Sequence, residues 1–190
     1  MPADALTALA DRIDALLPQT QCRRCGFDGC RPYAEALARG ETRLNRCPPG
    51  GHRLIESLAT LLDRPTLPLD PVCGLEAPPR VAWIDEPACI GCARCLDECP
   101  TDAIVGARKR MHTVIADDCS GCELCLPSCP VDCIRMIEAP GLPAEPLSPP
   151  AIEFRAVRFR RRYDARRARL AGEHDAWQAS LRASLAGDDP

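Results

Sequence analysis

The 190 residues are enough for one ordinary domain or two small ones, and they carry fourteen cysteines but only 4% aromatic side chains. A unit of 60 or so residues with so few aromatics cannot bury enough apolar surface to be comfortably stable, so bound metal is expected to supply folding free energy, and the absence of anything like a signal peptide argues against a secreted disulfide framework. The formal charge of −3 divides unevenly, −6 over residues 1–150 and +3 over 151–190, and no apolar run approaches the ~20 residues that span a bilayer, which predicts a soluble or peripheral chain.

Residues 3–17 place Leu6, Leu9, Ile13, Leu16 and Leu17 at helical spacing, with Asp4, Asp11, Arg12 and Asp14 elsewhere on the wheel. Pro18 ends this helix, whose apolar stripe is expected to pack on the next module. Cys22, Cys25, Cys30 and Cys47 follow, spaced C-x2-C-x4-C-x16-C. Gly26 and Gly29 allow close approach of the backbone to a metal centre. Pro32 suits the first turn of a helix running to Arg39, with Gly40 as its stop. By spacing alone these four thiols fit either a zinc ion or an iron–sulfur cluster. His52 lies beside them without ligand spacing and reads as a solvent-facing helix start. Residues 53–62 form a further amphipathic helix through Leu54, Leu58, Leu61 and Leu62, expected to pack on the first. Five prolines within residues 63–80 then predict an extended linker. Cys73 sits alone in it and reads as a bystander thiol.

The densest signal begins at Cys89. Cys89, Cys92, Cys95 and Cys99 recur thirty residues later as Cys119, Cys122, Cys125 and Cys129, each set closed by a proline, Pro100 or Pro130. Aligning residues 89–104 with 119–134 gives nine identities in sixteen positions. This is the C-x2-C-x2-C-x3-C-P run of bacterial two-cluster ferredoxins, in which the fourth cysteine ligates the other cluster. The crossed sets are therefore Cys89, Cys92, Cys95 and Cys129 for one 4Fe–4S cluster and Cys99, Cys119, Cys122 and Cys125 for the other. Neither repeat should fold alone. Eight such ligands tilt the earlier quartet toward iron as well. Residues 81–85, 103–116 and 134–138 read as strands in a twofold pattern of strand, cluster loop, short helix and strand. Ile84, Ile90, Ile104, Val114, Leu126 and Ile134 are expected around the clusters. Cys133 aligns with Ala103, so it is read as a small buried residue and excluded as a ligand. Residues 81–138 carry net charge −5, which favours docking to a basic patch.

After a second proline-rich stretch, residues 153–169 hold eight arginines against Glu153 and Asp164. Tyr163, Leu170 and Trp177, with His174 and Leu181 on a neighbouring line, predict a long amphipathic helix with a basic first half. Its competing uses are packing on its own protein or a partner, docking on an anionic membrane surface through 153–169, and nucleic-acid binding, which no recognised motif supports.

The segments Leu16–Cys22, Gly29–Ala36, Cys47–Gly51 and Met111–Val114 closely resemble the RnfB/RsxB family, one component of membrane ion-translocating electron-transport complexes. The resemblance covers about residues 5–139. It implies that Cys22, Cys25, Cys30 and Cys47 hold a third 4Fe–4S cluster. It also implies an electron relay on the cytoplasmic side of the inner membrane, among the other subunits of an Rnf/Rsx-type complex. Three features depart from the family pattern: the lead helix starts at once where a hydrophobic anchor is normal, Arg23 and Arg24 fill the first x2, and the arginine-rich tail lies outside the shared pattern.

The resulting expectation is an α+β chain. It comprises a four-cysteine helical Fe–S module (5–64), a proline-rich linker (65–79), ferredoxin-type repeats (80–109 and 110–139), a second linker (140–152) and a C-terminal basic helix (153–186). No side chains are arranged for acid–base or nucleophilic chemistry, and there is no phosphate loop or dinucleotide fingerprint. Three 4Fe–4S clusters passing single electrons are the expected function. The alternatives are a free soluble polyferredoxin serving another redox protein, and an Fe–S regulator that binds nucleic acid through its tail.

Overall fold

The computed structural model describes residues 3–142 and 148–186, and side chains within that span except at 149 and 180–186. The stretch 143–147 of the second linker and the side chain of Leu181 thus lie outside the described residues.

Helix α1 (Ala3–Leu16) buries Ala10 and Ile13, and Leu17 just beyond it is buried too. The apolar stripe is turned slightly from its expected phase: Leu16 is exposed, whereas Asp14 is 2% exposed. The cause is the other end of the chain, because Arg160 covers the Asp14 carboxylate. Helix α2 (Cys30–Arg39) turns Tyr33, Ala34 and Leu37 inward, and Gly40 caps it in the left-handed region at φ +73°. The Gly40 N–H there donates to the Leu37 carbonyl and the Glu41 N–H to that of Ala36, a left-handed turn that strains any residue with a Cβ. Pro32 sits in the first turn, where the missing N–H has no helical partner to lose. Helix α3 (Gly51–Leu62) contributes Leu54, Ile55 and Leu58 to the same core. Helix α1 packs chiefly on α2, and to a lesser extent on α3.

The linker after α3 is extended but pinned. Asn45 Nδ2 donates to the Pro68 carbonyl at 2.6 Å, and Asp70 N–H to the Asn45 carbonyl at 2.9 Å. Leu69 packs on the helical core, and Glu76 accepts the backbone N–H of His52 at 3.1 Å. The imidazole of His52 itself faces solvent.

Strands β1 (Arg80–Ile84) and β4 (Ile134–Glu138) pair antiparallel, with Ala82 opposite Met136 and Ile84 opposite Ile134. The shorter β2 (Ile104–Val105) and β3 (Thr113–Val114) form a second antiparallel pair across the repeat boundary. First strand thus closes on last, and the two repeats share one core. The expected short helix appears only in the first repeat, as α4 (Arg94–Glu98). Its counterpart, 124–128, is a turn. Pro127 stands where α4 has Asp97, and it lacks the N–H that a helix needs.

Helix α5 (Pro149–Ala186) begins with two prolines, as first-turn positions permit. Its packed face is not the expected Tyr163–Leu170–Trp177 line, since Leu170 and Trp177 are exposed. Ala156 and Phe159 are buried instead, beside half-buried Ile152 and Tyr163. The arginines flanking this face reach acidic side chains and carbonyls of both halves. Arg160 binds Asp14 and Gln19 of the helical module. Arg158 and Arg162 meet the Asp118 carboxylate at 2.7 and 3.1 Å, and Arg162 donates to the Thr101 and Asp102 carbonyls. Arg166 and Arg169 pair with Asp102 at 3.3 and 3.0 Å. Five of the eight arginines in 153–169 are thus engaged within the chain, which makes this half of α5 a clamp between modules.

Candidate metal centres

The twelve cysteines singled out by spacing fall into three separate cages. Cys22, Cys25, Cys30 and Cys47 line the first, with Leu17, Tyr33 and Pro48. Cys89, Cys92, Cys95 and Cys129 line the second, with Ile84, Ile90, Val131 and Ile134. Cys99, Cys119, Cys122 and Cys125 line the third, with Ala82, Ala103 and Ile104. The space between atoms is nearly equal in the three, about 290, 280 and 310 Å³ respectively. Of the apolar residues expected around the clusters, Val114 and Leu126 pack on the surrounding core and do not line a cage.

Why the chain wraps these cages is visible in its backbone. Gly91 and Ala93 both take φ +69°, and their counterparts Gly121 and Glu123 take +72° and +66°. In the first cage Arg23, between Cys22 and Cys25, takes φ +61°. Alternating left-handed residues aim successive N–H groups at one point, a concavity suited to negatively charged sulfur. Glycine is required where another strand approaches: a Cβ on Gly121 would lie 2.4 Å from the Arg80 carbonyl oxygen. Hydrogen bonds to sulfur follow, from Ala82 N–H to Cys119 at 3.4 Å and from Ala103 N–H to Cys99 at 3.2 Å.

As free thiols, the more deeply buried of these groups are biased toward the neutral form. Burial pushes Cys30, Cys122 and Cys125 up to about 12 and Cys95 up to about 11. Desolvation acts upward at Cys129 as well, but N–H groups of Val131, Cys133 and Asp132 outweigh it and hold that thiol low. Four thiolates gathered in one cage, buried or half-buried, therefore require a compensating positive centre. A single zinc would need its sulfurs roughly 3.8 Å apart, from Zn–S bonds of ~2.3 Å at tetrahedral angles. Among the described residues no three His, Cys, Asp or Glu side chains converge on a point in this way. Cages built from four spaced thiols each fit an iron–sulfur cluster.

Two further cysteines are placed. Cys73 is buried, and its sulfur lies 3.5 Å from Arg46 Nε, outside all three cages. Cys133 lines the second cage with its sulfur 3.5 Å from that of Cys129, where Ala103 lines the third. Sequence reasoning gave no role to His112, which is 1% exposed and places Nδ1 3.4 Å from the Cys89 sulfur. Only strand register could have found it. Ser120 was also missed: its hydroxyl donates to the Thr20 carbonyl at 2.9 Å, joining the walls of the first and third cages.

Comparison with known families agrees with this division. Residues 82–136 match a family model described as a 4Fe-4S dicluster domain, and residues 17–49 one described as "Putative Fe-S cluster". A protein of Alkalilimnicola ehrlichii, named as the B subunit of an ion-translocating oxidoreductase complex, is 64% identical over 131 residues, 68% of this chain and 70% of that one. This chain belongs to that family. A protein of the same name from Pseudomonas paraeruginosa is 64% identical over 130 residues, 68% of each chain. Another from Hahella chejuensis is 56% identical over 152 residues, 76% of this chain and 77% of its own. Among the described residues of this family member, no helix is long and apolar enough to cross a membrane.

Proposed function

We propose that this chain carries three 4Fe–4S clusters and relays single electrons between its partners in an ion-translocating oxidoreductase complex. The observation that carries the reading is the sorting of the twelve spaced thiols into three cages, four to each. In this reading Cys22, Cys25, Cys30 and Cys47 hold the first cluster, Cys89, Cys92, Cys95 and Cys129 the second, and Cys99, Cys119, Cys122 and Cys125 the third. A bound cluster supplies a centre that gains or loses one electron without a covalent bond being made or broken. The chain supplies the rest. Its thiolates hold the metal, its apolar walls keep water away, and its N–H groups stabilise negative charge on sulfur.

The contacts between modules support an order for the relay. The first cage meets the dicluster domain at the third cage, through Ser120 to Thr20 and through Arg24 to Glu123 at 2.8 Å. The second cage lies beyond the third and stands next to exposed Ile90 and Val131. Electrons would pass in the order first, third, second, or the reverse. Five of the arginines of α5 are engaged within the chain, which supports a role in joining the modules rather than a free basic surface for membrane docking.

The test is metal analysis of the full chain purified without air, together with a paramagnetic-resonance redox titration. About twelve irons with matching acid-labile sulfide, and three spin systems, are expected. Zinc in the first cage, or fewer than three clusters at full loading, overturns the reading.

A further inference from the structure

The repeat makes each residue around the second cage comparable with one around the third, thirty positions apart. Position 112 corresponds to 82, 106 to 136, and 133 to 103. Around the third cage these positions are Ala82, Met136 and Ala103, and all three line it. Around the second they are His112, Gly106 and Cys133, of which His112 and Cys133 line the cage. The large side chain has changed strands. Met136 faces Ala82 across β1–β4. Gly106, one step beyond β2–β3, makes room for the imidazole, since a Cβ there would lie 2.3 Å from His112 Cδ2. A polar ring thus stands at the second cage in the place its twin gives to Ala82, whereas the polar Ser120 and Thr101 of the third cage stand where the second has Ile90 and Val131.

We propose that His112 raises the reduction potential of the cluster held by Cys89, Cys92, Cys95 and Cys129 by donating Nδ1–H to the Cys89 sulfur. The proposal rests on the ligand assignment given under Proposed function. A metal-bound thiolate only accepts, so of two groups 3.4 Å apart the imidazole is the donor. That fixes the neutral tautomer with the proton on Nδ1. Nε2 is then a bare acceptor, and it is buried without a hydrogen-bond partner. Leaving a buried polar atom orphaned is costly, and a hydrogen bond from the same ring to an anionic acceptor offsets that cost. At the third cage the sulfur of Cys119, the counterpart of Cys89, receives the backbone N–H groups of Ala82 and Gly121 and no imidazole, while the hydroxyls of Thr101 and Ser120 stand by Cys99 and Cys122. Cys133 adds a second side chain within reach of sulfur at the second cage, against Ala103 at the third.

The direction of the effect follows from charge. One electron arriving from the third cage makes the thiolate sulfurs more negative, and a donor aimed at one of them binds the reduced state more tightly. No proton moves and no bond breaks. The second cluster, at the end of the relay farthest from the helical module, is thereby easier to reduce than it would be without the ring.

The test uses the full chain, loaded and handled without air, with iron and sulfide counted first. Paramagnetic-resonance redox titrations compare the native chain with His112→Leu and His112→Asn. In His112→Leu one cluster should become harder to reduce by about tenfold in its equilibrium constant, 59 mV for one electron, while the other two keep their potentials. His112→Asn, which retains an N–H, should recover part of the shift. Labelling with ¹⁵N-histidine gives a second readout, because the sequence holds three histidines and His52 and His174 line no cage. One reduced cluster of the native chain should show a ¹⁵N hyperfine coupling that His112→Leu abolishes. A loaded His112→Leu chain with three unchanged potentials, or a native chain without the coupling, overturns the proposal. Should His112→Leu fail to load, the native coupling decides alone. Fewer than three clusters in the native chain sinks the ligand assignment instead, and the two failures are distinct.

Discussion

Phe159→Ala tests whether α5 clamps the two modules. The ring is 2% exposed, with the Arg155 guanidinium 4.9 Å above it. It stands where Pro18 and Pro48 of the helical module, Pro79 of the linker and Ser120 of the dicluster domain meet, beside a cavity of about 270 Å³. Truncating a fully buried phenylalanine costs about 3–5 kcal/mol. The existing cavity already denies the ring part of its contacts, so the low end, about 3 kcal/mol, applies. Each 1.4 kcal/mol is a factor of ten, so undocking of α5 becomes about a hundredfold more populated. Hydrogen exchange read by mass spectrometry over residues 153–163 should lose protection by that factor. The iron–sulfur absorbance should stay, since no cage residue lies on α5. Protection within threefold of the native chain would refute the clamp, and so would simultaneous loss of iron, because the helix would then belong to the global core.

Cys129→Ser should cost the second cluster its ligand and lower iron per chain, whereas Cys133→Ala should leave all three clusters in place, both read by iron and sulfide counts. Gly121→Ala combines a φ of +72° with a Cβ 2.4 Å from the Arg80 carbonyl, and it should destabilise the dicluster domain by about 2 kcal/mol or more, seen as faster cluster loss under chelator. Asp118→Asn removes the charge that Arg158 and Arg162 share. Both arginines are about one-third exposed, so the cost, discounted for solvent screening, is about 1–2 kcal/mol, with exchange at α5 becoming less sensitive to added salt. Stripping iron from the whole chain should abolish the β1–β4 and β2–β3 signals in circular dichroism, because four thiols around an empty cage do not offset the entropy of ordering those loops.

What the sequence disclosed and what it hid divide along one line. The cages were legible because ligand spacing is local: three cysteines two residues apart can close on one centre in few ways, and the internal repeat doubled the evidence. The end of α2 was legible for the same reason, since Gly40 is a local stop. The phase of α1 and of α5 was not. Asp14 reads as a solvent-facing residue until Arg160, 146 positions away, covers it. Tyr163, Leu170 and Trp177 make a regular line, yet the buried Phe159 and Ala156 lie on another, chosen by Asp118, Asp102 and the module seam. The missing helix at 124–128 was readable in principle, because Pro127 replaces Asp97 in the repeat. His112 carries no ligand spacing, and only the pairing of β2 with β3 puts its ring against Cys89.

The two kinds of glue in this molecule act on different distances. Within a cage, the metal–thiolate bonds proposed above would fix the ligands, and cages two and three are tied together because Cys99 and Cys129 each cross to the cage of the other loop. Between cage one and cage three no ligand crosses. What joins them directly is one hydrogen bond from Ser120 to Thr20 and the partly exposed pair of Arg24 and Glu123. Contacts of those kinds contribute about 1 kcal/mol each at most, too little to hold two modules in one pose. Helix α5 supplies the remainder, by binding Asp14 on one side of the seam and Asp118 on the other with Phe159 between them. Electron transfer depends steeply on separation, so the residues that hold the first and third cages together matter to the relay although none of them is one of the twelve cage cysteines.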